Sequence, residues 1–553
     1  LEKNSKRVWV YNALDNSISV LGFFDSQNIK AEKLIPLDDP TDPTVKRGRI
    51  YFNSAAGSST KTFACSSCHP DGHTDQLIWV LDTPVVTGGK QIMPRLTMPV
   101  RGLRDTEPFH WDGTKGDPYG GINSANLTFG SKPNCKINDP IGCLRQLIDD
   151  NISTTMSLPN KANKETFTDG ERNAIAIYML SVPYPPAPKR PYDDVLSKKA
   201  IRGFELFHVH GDDDPKEKGP NICGNCHRLP FLVSARTLEP RIGMKATTWR
   251  GAADRFQIAP QARGNVIDFP WVQEMARNGR DENAIWRTSW SGDSGPRTRF
   301  DPVWNMVLEM STGFSGAYAR QVTIPLPNSN SIDTNNDGQK KLDALAKEYV
   351  ATDLMTAMSN TFNTTKTSSE YSMKLIKSLE IAHSQGFIVL EVEGILIDGS
   401  NKQLIKFQYN SNFNNGTYIN KSNSRMYFTA NELSKLADEG KFVGTFIGRH
   451  GQNFDLYRNP QPAIWSVGKI DDQRKQDFPI LRSTQKTFTI SGRHIKQDDS
   501  LIVDGEKVEG SIKLQDGEKI LVSFSSLPNP GVHLFQIQEK DGRMSNEFIF
   551  YVR

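Results

Sequence analysis

Hydrophobic residues follow two different rhythms along the chain. In the first half they recur at helical spacing. Arg47-Gly-Arg-Ile-Tyr-Phe52 and Arg202-Gly-Phe-Glu-Leu-Phe207 each read as the end of an amphipathic helix. Ala174-Ile-Ala-Ile-Tyr-Met-Leu-Ser181 reads as a third, opened by the capping box Thr168-Asp-Gly-Glu171. Leu342 to Met358 forms a fourth amphipathic run. From Phe387 onward the period shortens to that of strands: Phe387–Ile397, Lys406–Tyr409 and Lys441–Gly448, with Asn415-Gly416 as a turn. Residues 481–553 continue with Thr487–Gly492, Ser500–Asp504, Lys519–Phe524 and Glu547–Val552. At the start, Arg7–Asn12 and Ser17–Leu21 read as a hairpin turning at Asp15-Asn16. Val182-Pro-Tyr-Pro-Pro-Ala-Pro-Lys-Arg-Pro191 excludes helix and reads as a stiff linker.

These breaks divide the chain into residues 1–40, an N-terminal β segment; 41–188 and 189–350, two helical units; 351–480, a β-rich region; and 481–553, a compact all-β unit. The length of 553 residues suits several domains, and 37% hydrophobic side chains suffice for packed cores. A net charge of +4 is too balanced for a nucleic-acid-coating protein or a membrane-surface polycation. No apolar run is long enough to span a bilayer. The start at Leu1, without Met or an apolar signal core, reads as a mature or trimmed product.

Six cysteines carry the chemistry. Four fall in Cys65-Ser-Ser-Cys68-His69 and Cys223-Gly-Asn-Cys226-His227. Such a pentapeptide reads as a covalent c-type haem site, with two thiols for the porphyrin vinyl groups and the adjacent histidine for iron. A redox dithiol or half of a zinc site competes for either motif alone. Two copies favour two haem c groups. Cys135 and Cys143 remain, in a polar Gly/Pro/Asn-rich stretch, and a disulfide closing that loop is the expectation, against two unrelated free thiols. Haem attachment and a disulfide both point outside the cytoplasm, to the periplasm or cell surface.

The motifs sit in a longer repeat. Arg-Gly precedes each one in the helices above, and Val100-Arg101-Gly102 and Trp249-Arg250-Gly251 follow. Arg101 and Arg250 are candidates to pair with haem propionates. Met156 and Met310 lie at similar offsets beyond His69 and His227, in polar, turn-rich sequence where a packing methionine is less expected. A thioether is a soft axial donor, so they are the candidate sixth ligands, with Met306 as rival to Met310.

With Phe109-His110-Trp111-Asp112-Gly113 added, the tandem motifs resemble the bacterial dihaem cytochrome c peroxidase superfamily over about residues 40–320. The resemblance implies two mainly α class I cytochrome c domains with facing haems. It also implies Trp111 between them as a tunnelling relay, an ordinary core aromatic being the alternative. Peroxidases of that family keep one haem open beneath a distal glutamate and histidine. Here no glutamate occurs between Asp112 and Ile148, and His110 is the better distal candidate than His73. A first haem ligated by Met156 leaves no vacant position for peroxide.

Asp333, Asn335, Asp337 and Gln339 resemble the opening of a calcium loop, but Ala344 stands where the bidentate glutamate belongs, and an Asx-rich turn explains them equally. The strand spacing of 481–553 suggests an immunoglobulin-like β-sandwich, similar to the transcription-factor-immunoglobulin type, with docking or spacing as its default role. The expectation is an exported dihaem cytochrome that carries electrons between a donor and an acceptor protein through His69/Met156 and His227/Met310. The alternatives are a dihaem peroxidase with one open haem, and a cell-surface protein whose β domain docks the haem module onto a partner.

Overall fold

The computed structural model describes residues 6–25, 28–37, 39, 41–84, 90–110, 113–119, 132–158, 166–210, 227, 234–237, 245–258, 263–265, 300–324, 368–450, 457–465, 479–482 and 484–553. The N-terminal hairpin gains a further strand: β1 (Arg7–Asn12), β2 (Ser17–Asp25) and β3 (Asn28–Pro36) form one antiparallel sheet in that order. Asn16 turns β1 into β2 with φ 51°, a left-handed conformation that asparagine tolerates. The sheet is tied to the following helix by Lys46 and Arg49, which both reach Asp39.

That helix, α1 (Pro43–Phe52), starts where Asp42 accepts hydrogen bonds from the Thr44 and Val45 amides and Pro43 presets the first turn. The one-turn α2 (Cys65–Cys68) follows, then the hairpin β4 (Ile78–Pro84) and β5 (Lys90–Leu96). Next come α3 (Pro140–Ser153) and α4 (Asp169–Ser181), the latter capped by the expected Thr168/Glu171 box. α1 crosses α4 at Gly48, where a Cβ would stand 2.0 Å from the Ala174 carbonyl oxygen.

The second unit repeats this crossing. α5 (Lys198–Glu205) meets α6 (Phe300–Glu309) at Gly203, where a Cβ would stand 2.2 Å from the Pro302 carbonyl oxygen. Between them lie the short pairs β6 (Ser234–Thr237) with β7 (Lys245–Ala246), and β8 (Phe256–Ile258) with β9 (Arg263–Asn265). The recurrent Arg-Gly in the sequence therefore marks the contact that lets two helix backbones touch.

β10 (Gln321–Ile324) then leaves this unit to join the next. It pairs with β15 (Phe442–Arg449) in a six-stranded antiparallel sheet ordered β10–β15–β11–β12–β13–β14, with β11 Val389–Asp398, β12 Asn401–Asn410, β13 Thr417–Asn420 and β14 Tyr427–Phe428. α7 (Ser368–Ser384) and α8 (Ala430–Asp438) cover it, burying Ile376, Leu379 and Leu433 against Leu390, Phe407 and Phe446. Neither helix was anticipated.

The final unit is two sheets on one core. β16 (Ala463–Trp465), β18 (Thr487–Arg493), β22 (Lys519–Phe524) and β21 (Gly510–Leu514) form the first. β17 (Ile480–Leu481), β24 (Phe548–Val552), β23 (Gly531–Gln538), β19 (Ser500–Val503) and β20 (Glu506–Val508) form the second. Phe488 and Phe524 from one sheet pack on Phe535 and Phe550 from the other. This unit is no detached spacer. Its Leu534 and Ile549 belong to the core of the second unit, and its Ile502 and Met544 to that of the six-stranded sheet.

The fold expectation of two mainly α cytochrome domains leading a β tail is therefore corrected. Among the described residues strand outweighs helix, and strands occur within both leading units as well as after them. The helical period was legible where Arg-Gly recurs and behind the Thr168/Glu171 capping box; hairpins such as β4–β5 have no such marker. Among the described residues no helix is long and apolar enough to cross a membrane.

The disulfide joins Cys135 to Cys143, at the entrance to α3. Closing so short a loop restricts the unfolded chain by about 2.5 kcal/mol. Reduction under non-denaturing conditions should lower the unfolding free energy by that amount, seen as a lower urea midpoint, without displacing α3, as read by circular dichroism; an unchanged midpoint would refute the contribution.

Candidate functional site

One turn of helix brings Cys65 and Cys68 to neighbouring positions on one face and delivers His69 at its end. The turn is held by the Ser67 hydroxyl, which accepts from the Ala64 amide at 3.0 Å, and by the His69 amide on the Cys65 carbonyl at 3.0 Å. Asp71 (φ 52°) and Gly72 (φ 71°) then reverse the chain, so that His69 Nδ1 donates to the His73 carbonyl at 3.3 Å. The ring is also hydrogen-bonded to the backbone of Met98. A histidine whose Nδ1 is held by a carbonyl presents Nε2 to a metal.

Burial pushes the Cys65 thiol up to about 11, and also raises that of Cys68. Both thiols are free rather than joined. Reactive dithiols depend on a lowered thiol value, the opposite of what is found here. Burial also holds His69 below its ordinary value, which keeps the imidazole neutral. Two protonated thiols and one neutral, oriented imidazole match the donor set of covalent haem attachment. Among the described residues no group of three or more Cys, His, Asp or Glu is gathered closely enough to hold a metal ion.

Met156 is buried in the cluster formed by Phe52, Val100, Phe167 and Ile175, and Cys65 packs against the same cluster. Its carbonyl accepts from the Ser59 amide at 2.9 Å, which ties it to the loop leading into the Cys65–His69 turn. The polar sequence around it suggested a less enclosed position. Arg101 Nε donates to the Asp71 carbonyl at 2.8 Å and braces the reversal after His69.

The second centre is described in part. Cys223 and Cys226 lie outside the described residues. His227 Nδ1 donates to the Thr247 carbonyl at 2.7 Å, and its ring meets Trp249 edge-on. Thr247 precedes Arg250 at the offset by which Met98 precedes Arg101, so one loop position holds the histidine ring in each unit. Phe207 packs on Trp249 and His208. Burial lowers His208 to about 4, which keeps it neutral. Met310 is buried with Phe204 and Phe207; Met306, one helical turn earlier, belongs to the same cluster.

The backbone on either side of Met310 is held by a buried ion network. Arg190, whose side chain is fully enclosed, pairs with Asp194 at 2.7 Å and with Glu547 of the C-terminal unit, and donates to the Glu309 carbonyl at 2.9 Å. Glu547 in turn accepts from the Ser311 amide at 2.7 Å.

The proline-rich stretch expected to be a linker is buried between the units. Tyr184 lies between Gly102 and Gly251, the equivalent glycines of the two Arg-Gly loops. Arg250 Nη2 donates to the Gly102 carbonyl at 2.6 Å, and its guanidinium lies over the Tyr184 ring at 5.2 Å. Burial lowers Arg250 to about 10. Arg255 Nη2 donates to the Tyr184 hydroxyl at 3.1 Å. His73 Nε2 donates across the same seam to the Asp254 carbonyl at 2.8 Å, and the Ile258 amide to the Gln76 carbonyl at 2.8 Å.

His110 turns with φ 71° and its carbonyl accepts from Gly113 at 3.2 Å; Trp111 lies outside the described residues. The loop before it carries Asp105, buried against Arg493 (2.8 Å) and His494 (2.9 Å) of the C-terminal unit. Burial alone would raise the Asp105 carboxyl, but His494 and Arg493 outweigh it and hold the group well below the usual range. Glu107 faces Arg493 at 3.9 Å, so a buried glutamate does stand in this loop, ahead of the segment where the sequence lacks one. The calcium candidates Asp333, Asn335, Asp337 and Gln339 lie outside the described residues.

Tyr184, Asp254, Arg255, Arg190, Glu547, Asp105 and Arg493 were missed by sequence reasoning, and His73 was weighed only as a distal group. The only sequence signal for any of them is the doubled Arg-Gly loop, whose backbone, rather than its arginine alone, does the holding. No family model matches the chain, and no curated protein matches it.

Proposed function

We propose that this chain is a dihaem c-type cytochrome that transfers electrons, with haem c on Cys65/Cys68/His69 and on Cys223/Cys226/His227. The observation that carries the reading is the turn at Cys65–His69, with two partly exposed, protonated thiols and a neutral imidazole oriented through Nδ1. The matching Nδ1 contact at His227 extends it to the second motif. When bound, haem supplies one-electron iron chemistry in a largely apolar pocket. The chain's own residues attach it, orient the proximal ring and exclude water. Met156 and Met310, buried in the clusters beside the two sites, are proposed as sixth ligands. The same motifs support kinship with the bacterial dihaem cytochrome c peroxidase superfamily, as an electron carrier rather than a peroxidase. The disulfide supports a location outside the cytoplasm, where donor and acceptor proteins would be met.

Denaturing mass measurement and the pyridine haemochrome spectrum of the native chain should report two covalent haems. The oxidised protein should be low-spin with the sulfur-to-iron charge-transfer band of His/Met ligation. Met156→Ala should convert one haem to a cyanide-binding, high-spin form while the other is unaltered. A native high-spin haem with rapid peroxide turnover would overturn the electron-transfer reading, and a chain without covalent haem would overturn the whole proposal.

A further inference from the structure

We propose that His73 couples the two redox centres, joining the proximal ligand of one to the loop that holds the proximal ligand of the other. The inference rests on the dihaem reading above and adds a residue and a route to it. His73 lies too close in sequence to His69 to serve the far face of the same haem, and the structure gives it a different task. Its carbonyl accepts the hydrogen bond from His69 Nδ1 at 3.3 Å, while its Nε2 donates to the Asp254 carbonyl of the second unit at 2.8 Å. With Nε2–H engaged in this way, the buried Nδ1 has no hydrogen-bond partner among the described residues, so the ring makes a single directed contact.

From Asp254 the route is short. The Asp254 amide donates to the Gly251 carbonyl at 3.1 Å and the Ala252 amide to the Trp249 carbonyl at 3.0 Å, so the loop folds tightly back on itself. Thr247, on the same loop, accepts from His227 Nδ1 at 2.7 Å. A line of hydrogen bonds and backbone thus runs from His69 through His73 to His227. The seam around it is rigid: Tyr184 fills the space between Gly102 and Gly251, and Arg250 binds the Gly102 carbonyl. Flexing the seam would break these contacts, so a change at one proximal histidine is transmitted rather than absorbed.

With haem held by Cys65, Cys68 and His69 and by Cys223, Cys226 and His227, the group would supply one-electron chemistry at each site. His73 would supply part of the path between them and would neither gain nor lose an electron or a proton. The strengths of the His69 and His227 hydrogen bonds, which tune ligand basicity, become linked in the same way. Reduction of one haem therefore alters the reduction equilibrium of the other, and by linkage the effect is reciprocal.

The test uses the full haem-loaded chain with His73→Ala, the shorter amide His73→Asn, and His73→Gln, whose amide nitrogen reaches where Nε2 lies. Haem content is counted first, and each haem is then followed through a redox titration by electron paramagnetic resonance. The interaction factor between the haems should fall about fivefold in the Ala and Asn variants, the equivalent of one lost hydrogen bond. It should return in His73→Gln. A purely structural role would not separate Gln from Asn in this way. An unchanged factor in both short variants with two haems present would overturn the coupling alone. Fewer than two haems in the native chain would overturn the dihaem reading, and the coupling with it.

Discussion

Replacing Arg190 with Met lowers the stability of the chain at neutral pH by about 3–5 kcal/mol, because it strands buried carboxylates. Asp194 and Glu547 are almost wholly enclosed and both rely on this guanidinium. Burial already holds the Glu547 carboxyl above its ordinary value, against the opposing pull of Arg190; without that cation it rises further. A carboxyl raised in the folded state binds its proton more readily folded than unfolded. Its cost is therefore largest above the raised value and shrinks as pH falls through it. Urea denaturation should show a deficit in Arg190→Met that narrows between neutral and mildly acidic pH. A deficit of the same size at both would mean the loss is one of packing. Arg190→Met with Glu547→Gln should recover part of it, since both partners of the pair are then gone. Because the network holds Glu309 and Ser311 on either side of Met310, the single variant should also weaken the sulfur-to-iron band if, as proposed, Met310 ligates a second haem.

Gly251→Ala destabilises the chain by about 2–5 kcal/mol, the sum of a left-handed backbone and an overfilled contact. Gly251 has φ 70°, and an added Cβ would stand 2.2 Å from Tyr184 Cε1. The ring has little room to retreat, for on its opposite edge Gly102 stands so close that a Cβ there would lie 2.6 Å from Tyr184 Cδ2. The methyl group therefore acts as a wedge between the two units. Tyr184→Ala should be destabilising alone, and in combination with Gly251→Ala the two costs should sum to less than their separate values. Strict additivity in denaturant melts would refute the wedge. The same substitution strains the seam that carries the contact from His73 to Asp254, so under the proposed dihaem reading it should disturb the coupling as well as the melting midpoint.

The two Cys-x-x-Cys-His motifs were legible in the sequence because each is local. Two thiols and a histidine fall within five consecutive residues, and one helical turn brings Cys65, Cys68 and His69 together. The Arg-Gly helices and loops were legible for a related reason. Each marks a close backbone approach that only a glycine permits, at Gly48 and Gly203 or at Gly102 and Gly251. Strands beyond Phe387 showed their alternation because one face of each is buried.

Helices α7 and α8 were missed because the strand rhythm around them drew the reading, and the extent of β structure within the leading units was missed with them. The proline-rich stretch was misjudged on composition. Prolines exclude helix, but they do not exclude burial, and Tyr184 and Arg190 are both enclosed.

What the sequence determined by itself is the identity of the chemical groups: two Cys-x-x-Cys-His sets, their doubled setting, and a disulfide pair in a polar loop. Only the tertiary structure decided how those groups are joined. The pairs His73 with Asp254, Arg190 with Glu547 and Asp105 with Arg493 each link positions remote in sequence. Such contacts obey no period and carry no local signature, since any loop residue of suitable polarity satisfies the same pattern. They exist because burying several surfaces at once leaves each enclosed charge or donor only a few partners within reach, most of them remote in sequence.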